Sequence, residues 1–439
     1  MKLAYNVKDK PKFGQLIVFA LQQLLAIMAA TIAVPNIIGN GMSPAAALFG
    51  AGAGTIIYLL FTKFSSPVFL GSSFAFLGSM GAAFGGAASV SVGYAGLLIG
   101  AVFAGLVYVV IAIAVKLAGV DWINKLMPAV VIGPTVAIIG LSLAGNAVGD
   151  LQKASFGTAN VYLCILVGLV TLAVTMICSV YGKGFIKMIP FVMGIVAGYA
   201  LAAIFTVIGD ATGNEALRMI NFAAFENMQW IPEFSFVKAF EGFKSIDGAY
   251  IASIAVGYVP VAFVVFAEHI ADHKNLSSII ETELLEDPGL HRTLLGDGVG
   301  SMVGAFFGGC PNTTYGESVG CVAISGNASV VTILATAILA IIASFVAPFT
   351  TFLATIPSCV MGGVCITLYG FIAVSGLKMI QKVDLDDNRN LFVVSIILIC
   401  GVGGLTLSFG DVTLTEVACA LILGIIANLA LAEKKDKAE

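Results

Sequence analysis

The sequence predicts an all-α protein that crosses a membrane many times, with fourteen transmembrane segments in two inverted repeats of seven. Three observations predict this fold: the composition, the succession of apolar runs, and the positions of two weak helices. Of the 439 residues, 59% are hydrophobic and 10% are charged, and the mean hydropathy is +1.03. Because soluble domains carry charge on about a quarter of their residues, the composition excludes a soluble protein and indicates a polytopic helical membrane protein.

Apolar stretches long enough to cross the hydrocarbon core follow one another along the chain. The predicted segments lie at residues 14–35, 45–62, 68–88, 93–117, 126–148, 160–180, 186–208, 248–270, 292–308, 311–325, 329–350, 355–377, 390–408 and 413–432. The interval 209–247 is more polar and contains Trp230 and several phenylalanines. It divides the chain into two halves of seven segments each.

The positive charges predict the orientation of these segments. When the loops are assigned alternately to two sides, 17 of the 21 Lys and Arg residues fall on one side and four on the other. Short cytoplasmic loops are enriched in Lys and Arg. We therefore expect both termini in the cytoplasm, an even number of segments, and residues 209–247 on the extracellular or periplasmic side.

Two of the predicted segments are poor helices. They are the third, "SSPVFLGSSFAFLGSMGAAFGG", and the tenth, "GCPNTTYGESVGCVAIS", and both are rich in Gly, Ser and Thr. Non-helical backbone at membrane depth persists only where protein or a water-filled cavity covers it. Each stretch is the third segment of its half, and because seven is odd the halves enter the membrane from opposite sides. This pattern is typical of a transporter whose binding site lies at the interrupted segments of an inverted repeat.

Glu317 lies in the tenth segment, between glycines. A carboxylate at bilayer depth is costly unless it is paired, solvated or protonated, so it is rare without a function. Gly316, Gly320 and Pro311 interrupt the helix and free backbone groups that could bind a planar polar ligand beside the carboxylate. The alternative is a structural role, in which Glu317 caps a helix or pairs with a neighbouring threonine.

Glu268 and Asp272 form a second acidic group at the end of the eighth segment. Their spacing places both on one face of a helix, where two ionised carboxylates repel each other and a shared proton is favoured. The pair is therefore a candidate proton site, unless Asp272 already lies in the solvated cytoplasmic interface. His269 and His273 have the spacing of a zinc pair on a helix, but no third ligand follows, and we predict no metal site.

No ATP-binding motif accompanies the membrane segments, and no other cofactor is predicted. Energy should therefore come from an ion gradient. A proton gradient is favoured by the acidic pair, and Na⁺ as the coupling ion stays open. The eight cysteines are scattered singly and show no disulfide framework.

Five ordered stretches closely resemble the nucleobase-ascorbate transporter family, also called nucleobase-cation symporter 2, and above all its uracil-transporting bacterial branch. The similarity extends over residues 12–432. The stretches are "LGSSFAF" (70–76), "AEHIADH" (267–273), "DPGLHR" (287–292), "PNTTYGESVG" (311–320) and "VMGGVCITLYG" (360–370).

The resemblance implies a core domain and a gate domain that move relative to each other. The core would comprise segments 1–4 at 14–117 and segments 8–11 at 248–350. The gate would comprise segments 5–7 at 126–208 and segments 12–14 at 355–432. In this fold, segments 3 and 10 each contain a short extended strand.

The resemblance also implies a nucleobase site between the interrupted segments. Glu268 and Glu317 would accept hydrogen bonds from the ring. Phe74 and Tyr315 would form walls along it, and Gly316 would contribute backbone groups. Two further residues, Tyr369 and Ala30, would complete the pocket.

The sequence departs from the family pattern at two positions. The first segment has Gln22-Gln23 where the family usually has Gln-His. Asp272 stands where the uracil-transporting branch often has histidine, and an acid there is more usual in the purine branch. Glu317 favours uracil, because purine transporters of the family tend to have glutamine at that position. The role in proton coupling would fall to Glu268 and Asp272.

We therefore predict a non-enzymatic secondary transporter of the bacterial cytoplasmic (inner) membrane that imports uracil with protons by alternating access. A xanthine or uric acid permease of the same family is the alternative. An anion transporter of the same fold is disfavoured because the site is acidic, and an intramembrane enzyme or a channel lacks the ligand set or filter it would need. The expected partners are a small-molecule substrate and membrane lipid, not nucleic acid, and a homodimer stays open.

Overall fold

The computed structural model describes residues 3–154, 156–409 and 412–431, and this part of the chain is mostly helical. Its α-helices are α1 (Phe13–Ile38), α2 (Pro44–Phe61), α3 (Leu77–Gly85), α4 (Val90–Ala118), α5 (Asp121–Leu126), α6 (Ala129–Ser142), α7 (Ala144–Leu151), α8 (Val161–Tyr181), α9 (Phe185–Met188), α10 (Pro190–Thr212), α11 (Ser235–Ala239), α12 (Gly248–Ile280), α13 (Leu290–Gly308), α14 (Gly316–Ser325), α15 (Val330–Ser344), α16 (Ala347–Thr355), α17 (Ser358–Ile380), α18 (Asn388–Val402) and α19 (Glu416–Ala430). The strands are β1 (Leu70–Ser72), β2 (Asn312–Thr314), β3 (Leu407–Phe409) and β4 (Val412–Leu414).

Several helices begin at sequence signals that are visible without the structure. Ser43 caps α2, where its Oγ accepts a hydrogen bond from the backbone N–H of Ala46 at 3.2 Å, and Pro44 occupies the first helical position. Asp247 caps α12 by accepting a bond from the N–H of Tyr250 at 2.7 Å. Such side chains satisfy N–H groups that have no partner inside the helix.

Eight helical stretches in the described part of the chain are long and apolar enough to cross a membrane, when α6 and α7 are counted together as the stretch Ala129–Leu151. The number is nine if α15 and α16, which meet at an angle of 84°, form one bent span. Each of the fourteen predicted segments contains at least one helix, and the mostly helical membrane fold is confirmed. The count of fourteen and the inverted repeat stay predictions. Residue 432 lies outside the described residues, as do Lys2 and the C-terminal lysines that entered the orientation count.

The two weak segments each consist of a three-residue strand followed by a short helix. β1 precedes α3, β2 precedes α14, and the strands pair antiparallel with Leu70 opposite Thr314 and Ser72 opposite Asn312. All six strand residues are buried. The prediction of short strands in segments 3 and 10 is therefore confirmed. Pairing gives backbone groups at membrane depth the partners that lipid cannot provide.

Close packing of α2 against α13 supports the strand pair. The N–H of Leu70 donates to Thr55 Oγ1 at 2.9 Å, and Asn312 Nδ2 donates to the carbonyl of Gly50 at 3.1 Å. A Cβ added to Gly300 would lie 2.8 Å from the carbonyl oxygen of Gly54. Small residues thus allow the two helices to approach closely enough for α2 to hold both strands.

The predicted thirteenth segment is too long at its end. Helix α18 ends at Val402, and a second antiparallel strand pair, β3–β4, lies between α18 and α19. Gly403 follows the helix, and Gly404 adopts a φ of 71°, in the left-handed region that favours glycine. The predicted segment is longer because apolar residues resume after this break.

The long helices pack in two sets of contacts. α13 packs against α2 and α4, and α15 packs against α1 and α2. α17 packs against α6, α7 and α8, and α18 packs against α6 and α19. α12 contacts members of both sets, among them α4 and α6. The assignment of these helices to a core domain and a gate domain stays a prediction.

Candidate functional site

A cavity of about 300 Å³ lies where α12, β2 and α14 face α10 and α17. Its wall is largely apolar, and a few polar side chains converge on it. Such a concave, mostly apolar space with few polar groups is typical of a small-molecule site. It lies at the two interrupted segments, where the sequence places the binding site.

Glu268 and Asp272 line this cavity from α12, one helical turn apart. Thr314 Oγ1 at the end of β2 donates a hydrogen bond to Asp272 Oδ2 at 2.8 Å. Both carboxylates are half-buried. The structure thus places Asp272 within α12, in the cavity and against the strand pair.

Glu317 lines the cavity from the first turn of α14. Tyr315 and Gly316 directly precede it, and the N-terminal turn of a helix favours a negative charge because its free N–H groups point toward that end. In the described part of the chain, Glu317 makes no hydrogen bond to a threonine, which removes one of the structural alternatives. Its carboxylate is available to a ligand.

The cavity is acidic. Glu268, Asp272 and Glu317 all line it, and Lys187 from α9 is a basic residue on the same wall. Within the described ranges, no ion pair joins any of the three carboxylates to a basic side chain. Three acids around one enclosed space with a single lysine favour at least one bound proton.

Aromatic side chains form two walls of the cavity. Phe74 follows β1 and Tyr315 precedes α14, and both are buried and line the cavity. The Tyr315 hydroxyl donates to the carbonyl of Ser72 at 2.9 Å, which fixes the ring against β1. The ring of Tyr369 on α17 contacts Phe74 edge-on, with centroids 5.3 Å apart.

The structure therefore brings most of the predicted site together. The predicted residues that line the cavity are Glu268, Asp272, Glu317, Phe74, Tyr315 and Gly316. Tyr369 contacts the ring of Phe74 but does not itself line the cavity. Ala30 is fully buried in α1 and does not line it either.

Other lining residues were missed by the sequence analysis. Lys187, Phe191 and Phe371 reach the cavity from α9, α10 and α17. Lys187 and Phe191 are distant in sequence from the motifs, Phe371 directly follows the 360–370 stretch, and none of the three carries a spacing signal. Thr314 and Ser318 were also missed as functional residues, although both lie inside the quoted "PNTTYGESVG" stretch.

Ser318 ties α14 to two other elements. Gln23 Nε2 on α1 donates to Ser318 Oγ at 2.5 Å, and the backbone N–H of Phe69 donates to the same oxygen at 3.1 Å. The neighbouring Gln22 contacts Cys321 Sγ on α14 at 3.7 Å. The Gln-Gln pair thus positions the helix that carries Glu317.

Comparison with known proteins places these features in a family. The sequence model of a family described as "Permease family" matches residues 14–409. A uracil permease from Bacillus caldolyticus is 38% identical, covering 100% of this chain and 97% of that protein. A uracil permease from Escherichia coli K12 is 35% identical, covering 97% of this chain and 93% of that protein.

Among solved structures, the transmembrane domain of the cyanobacterial bicarbonate transporter BicA is similar in fold. Its TM-score is 0.64 at 16% identity, and the alignment covers 97% of this chain and 100% of that domain. At this identity the likeness establishes the fold alone.

We expect Ser318→Ala to lower the stability of the folded protein by about 1–3 kcal/mol, because it leaves the buried Phe69 N–H without its acceptor and leaves Gln23 Nε2 only a long contact of 3.4 Å with the Ser318 carbonyl. The measurement is the midpoint of thermal unfolding in detergent. Ser325→Ala is the matched control on the same helix, since Ser325 bonds only to neighbouring backbone at Cys321 and Asn327. Equal midpoints for the two variants would contradict the positioning role of Ser318.

Proposed function

This chain belongs to the permease family, and on that premise we propose that it imports uracil across the bacterial cytoplasmic membrane together with protons. The observation that carries the proposal is the pair of carboxylates, Glu268 and Glu317, which line one cavity beside two aromatic walls. Both termini would lie in the cytoplasm, as the distribution of Lys and Arg predicts.

The chemistry of the cavity suits a pyrimidine ring. Uracil is planar and presents N–H donors and carbonyl acceptors at its edge. Carboxylate oxygens accept such N–H groups in charge-assisted hydrogen bonds. Free N–H groups in the first turn of α14, around Gly316, suit the carbonyl oxygens. Phe74 and Tyr315 offer aromatic surface to the faces of the ring.

A purine substrate is the second candidate, and Asp272 favours it. This residue lines the cavity, and an acid at its position is more usual in the purine branch of the family that the sequence resembles. A third carboxylate could accept an N–H of the second ring of xanthine. Glu317 favours uracil, because the purine branch tends to have glutamine at this position.

Proton coupling is proposed for Glu268 and Asp272. These two residues lie one turn apart on α12, and Glu317 lines the same cavity. The three carboxylates repel one another, and both a bound proton and the N–H donors of a bound substrate reduce that repulsion. Uptake should therefore increase as the external pH falls, because protonation from outside accompanies binding. Coupling to Na⁺ instead is an outcome that the experiment below distinguishes.

Alternating access is proposed to come from movement between the predicted core and gate. Glu268, Phe74 and Glu317 line the cavity from the predicted core, and Phe191 and Phe371 line it from the predicted gate. A site between two bodies changes its exposure when one rotates against the other.

The first test is uptake of labelled uracil in cells that lack their own permease. We expect uptake that a protonophore abolishes, that replacement of Na⁺ by K⁺ leaves unchanged, and that excess xanthine does not inhibit. Inhibition by xanthine would indicate the purine alternative. Loss of uptake on removing Na⁺ would contradict proton coupling, and no uptake of either base would contradict the proposed substrate.

We expect Glu317→Gln to weaken uracil binding by about 10- to 100-fold, because the substitution removes a charged acceptor. Isothermal titration calorimetry on purified protein measures the effect. Glu416→Gln is the matched control, since Glu416 lies in the first turn of α19 and does not line the cavity. Wild-type affinity in Glu317→Gln would remove this residue from the ligand set.

We expect Glu268→Gln to make uracil transport independent of pH, because the glutamine cannot bind and release a proton. In proteoliposomes, uptake driven by a pH gradient should be lost, while exchange of internal for external uracil should persist. A pH profile equal to that of the wild type would show that Glu268 does not carry the coupling proton.

A further inference from the structure

A second polar group lies inside the protein, behind the wall of the substrate cavity. Glu268 and Asp272 face the cavity, while the next residues on α12, His269 and His273, face α13 and α2. Both histidines are fully buried, and Asp297 on α13 is 1% exposed. None of these three buried residues lines the substrate cavity.

The hydrogen bonds of His269 determine where its protons lie. Thr293 Oγ1 donates to the carbonyl of Leu290 at 3.0 Å, so it accepts the bond from His269 Nε2, also 3.0 Å long. His269 Nδ1 is 2.7 Å from Asp297 Oδ2. A contact of that length between these atoms requires one proton between them. The histidine and the aspartate therefore hold that proton jointly, and the pair has no net charge.

His273 also has a hydrogen-bond partner at each ring nitrogen. Its Nδ1 lies 2.8 Å from the carbonyl of His269, which only accepts, so Nδ1 carries the hydrogen. Its Nε2 lies 2.7 Å from the Tyr58 hydroxyl, which in turn lies 2.7 Å from Ser66 Oγ. The two imidazole rings stack with centroids 4.0 Å apart. The titratable groups that face the pair thus include His273 on α12, Tyr58 on α2 and Tyr108 on α4.

Two polar atoms at the His269–Asp297 pair have no hydrogen-bond partner in the described part of the protein. Within the described ranges, Asp297 Oδ1 and the Tyr108 hydroxyl are buried and accept or donate no hydrogen bond. Both residues line a separate cavity of about 10 Å³, together with Ser301 and Asn312. The wall of this cavity is otherwise mainly apolar, and a space of this size with two unpartnered polar atoms holds about one water molecule.

We propose that this small cavity is a binding site for one water molecule, and that the water, Asp297, His269 and Tyr108 form a sealed positioning unit for α12. The water donates a hydrogen bond to Asp297 Oδ1 and forms a second one with the Tyr108 hydroxyl. Each of these two buried atoms then has a hydrogen-bond partner. The unit joins α12 to α13 and α4. It fixes the rotation of α12 that presents Glu268 and Asp272 to the substrate cavity.

The proton between His269 and Asp297 stays in place during transport. The pair is buried and lies outside the substrate cavity. Removing its shared proton would leave a buried negative charge without a compensating partner. The transported proton is therefore carried by the cavity carboxylates. This inference rests on the proposed uracil–proton symport, whose own failure would appear as absent uracil binding by the wild-type protein.

Asp297→Asn and Asp297→Ala test the unit together. The asparagine has the shape of aspartate, can donate to His269 Nδ1 and can accept from the water, so we expect uracil uptake close to wild type with an unchanged pH profile. The alanine can do neither, and we expect uptake to fall by at least about tenfold. An Asp297→Asn protein that binds uracil but shows no pH dependence would overturn the proposal, because the pair would then be the exchanging proton site.

Tyr108→Phe tests the water site without touching the charged pair. Tyr258→Phe is the matched control, because the Tyr258 hydroxyl is also buried without a partner in the described residues but does not line this cavity. We expect a lower midpoint of thermal unfolding for Tyr108→Phe than for Tyr258→Phe, and a high-resolution structure of the wild type should show one water between Asp297 and Tyr108. Equal midpoints would overturn the water site. Stabilisation of the wild type by Na⁺ but not K⁺ that is lost in Tyr108→Phe would also overturn it, in favour of a cation.

Discussion

The pairing of β1 with β2 is the interaction on which the rest of the site depends. Each strand is an interruption of a membrane segment, and each alone would leave peptide groups without partners in an apolar medium. Antiparallel pairing satisfies these groups mutually. Thr55 on α2 accepts a further bond from β1, and Asn312 on β2 donates one to Gly50 on α2. The short helices α3 and α14 can then start in the interior of the protein. Phe74, Tyr315 and Glu317 lie at these starts, which is why they meet in one cavity.

The helix α12 has two polar faces with different environments. One face presents Glu268 and Asp272 to a space that a ligand can enter. The other presents His269 and His273 to partners on α13 and α2 that satisfy them fully. Acidic groups that change their protonation need access, whereas a buried network with complete hydrogen bonding stabilises one arrangement. The difference between the two faces of α12 is consistent with proton exchange on the face toward the cavity and with an unchanging hydrogen-bond network on the opposite face.

The cavity joins residues from distant parts of the chain. Its acids and two of its aromatic walls come from the segments with recognisable motifs. Its remaining wall comes from α9, α10 and the part of α17 that follows the 360–370 stretch. Motif residues can be read from the sequence because an acid or a glycine in an apolar run is unusual. Phe191 and Phe371 are ordinary residues of apolar helices, and their position in the site depends on how those helices pack. We therefore expect the preference between a pyrimidine and a purine to depend on the motif residues and on the residues of these apolar helices.

The sequence by itself determined the membrane class, the helical character, the two interrupted segments and the acidic residues of the site. These follow from composition and from local rules: long apolar runs span lipid, clusters of Gly, Pro, Ser and Thr break helices, and acids in such runs are rare. The resemblance to a known family added the strands and the pocket aromatics. Only the tertiary structure decided that Tyr369 supports Phe74, that Ala30 lies outside the wall, that Gln23 holds α14 through Ser318, and that His269 pairs with Asp297 28 residues away. Each of these contacts depends on which faces of two helices meet, and that choice is made by packing over the whole interior and not by the residues near either partner.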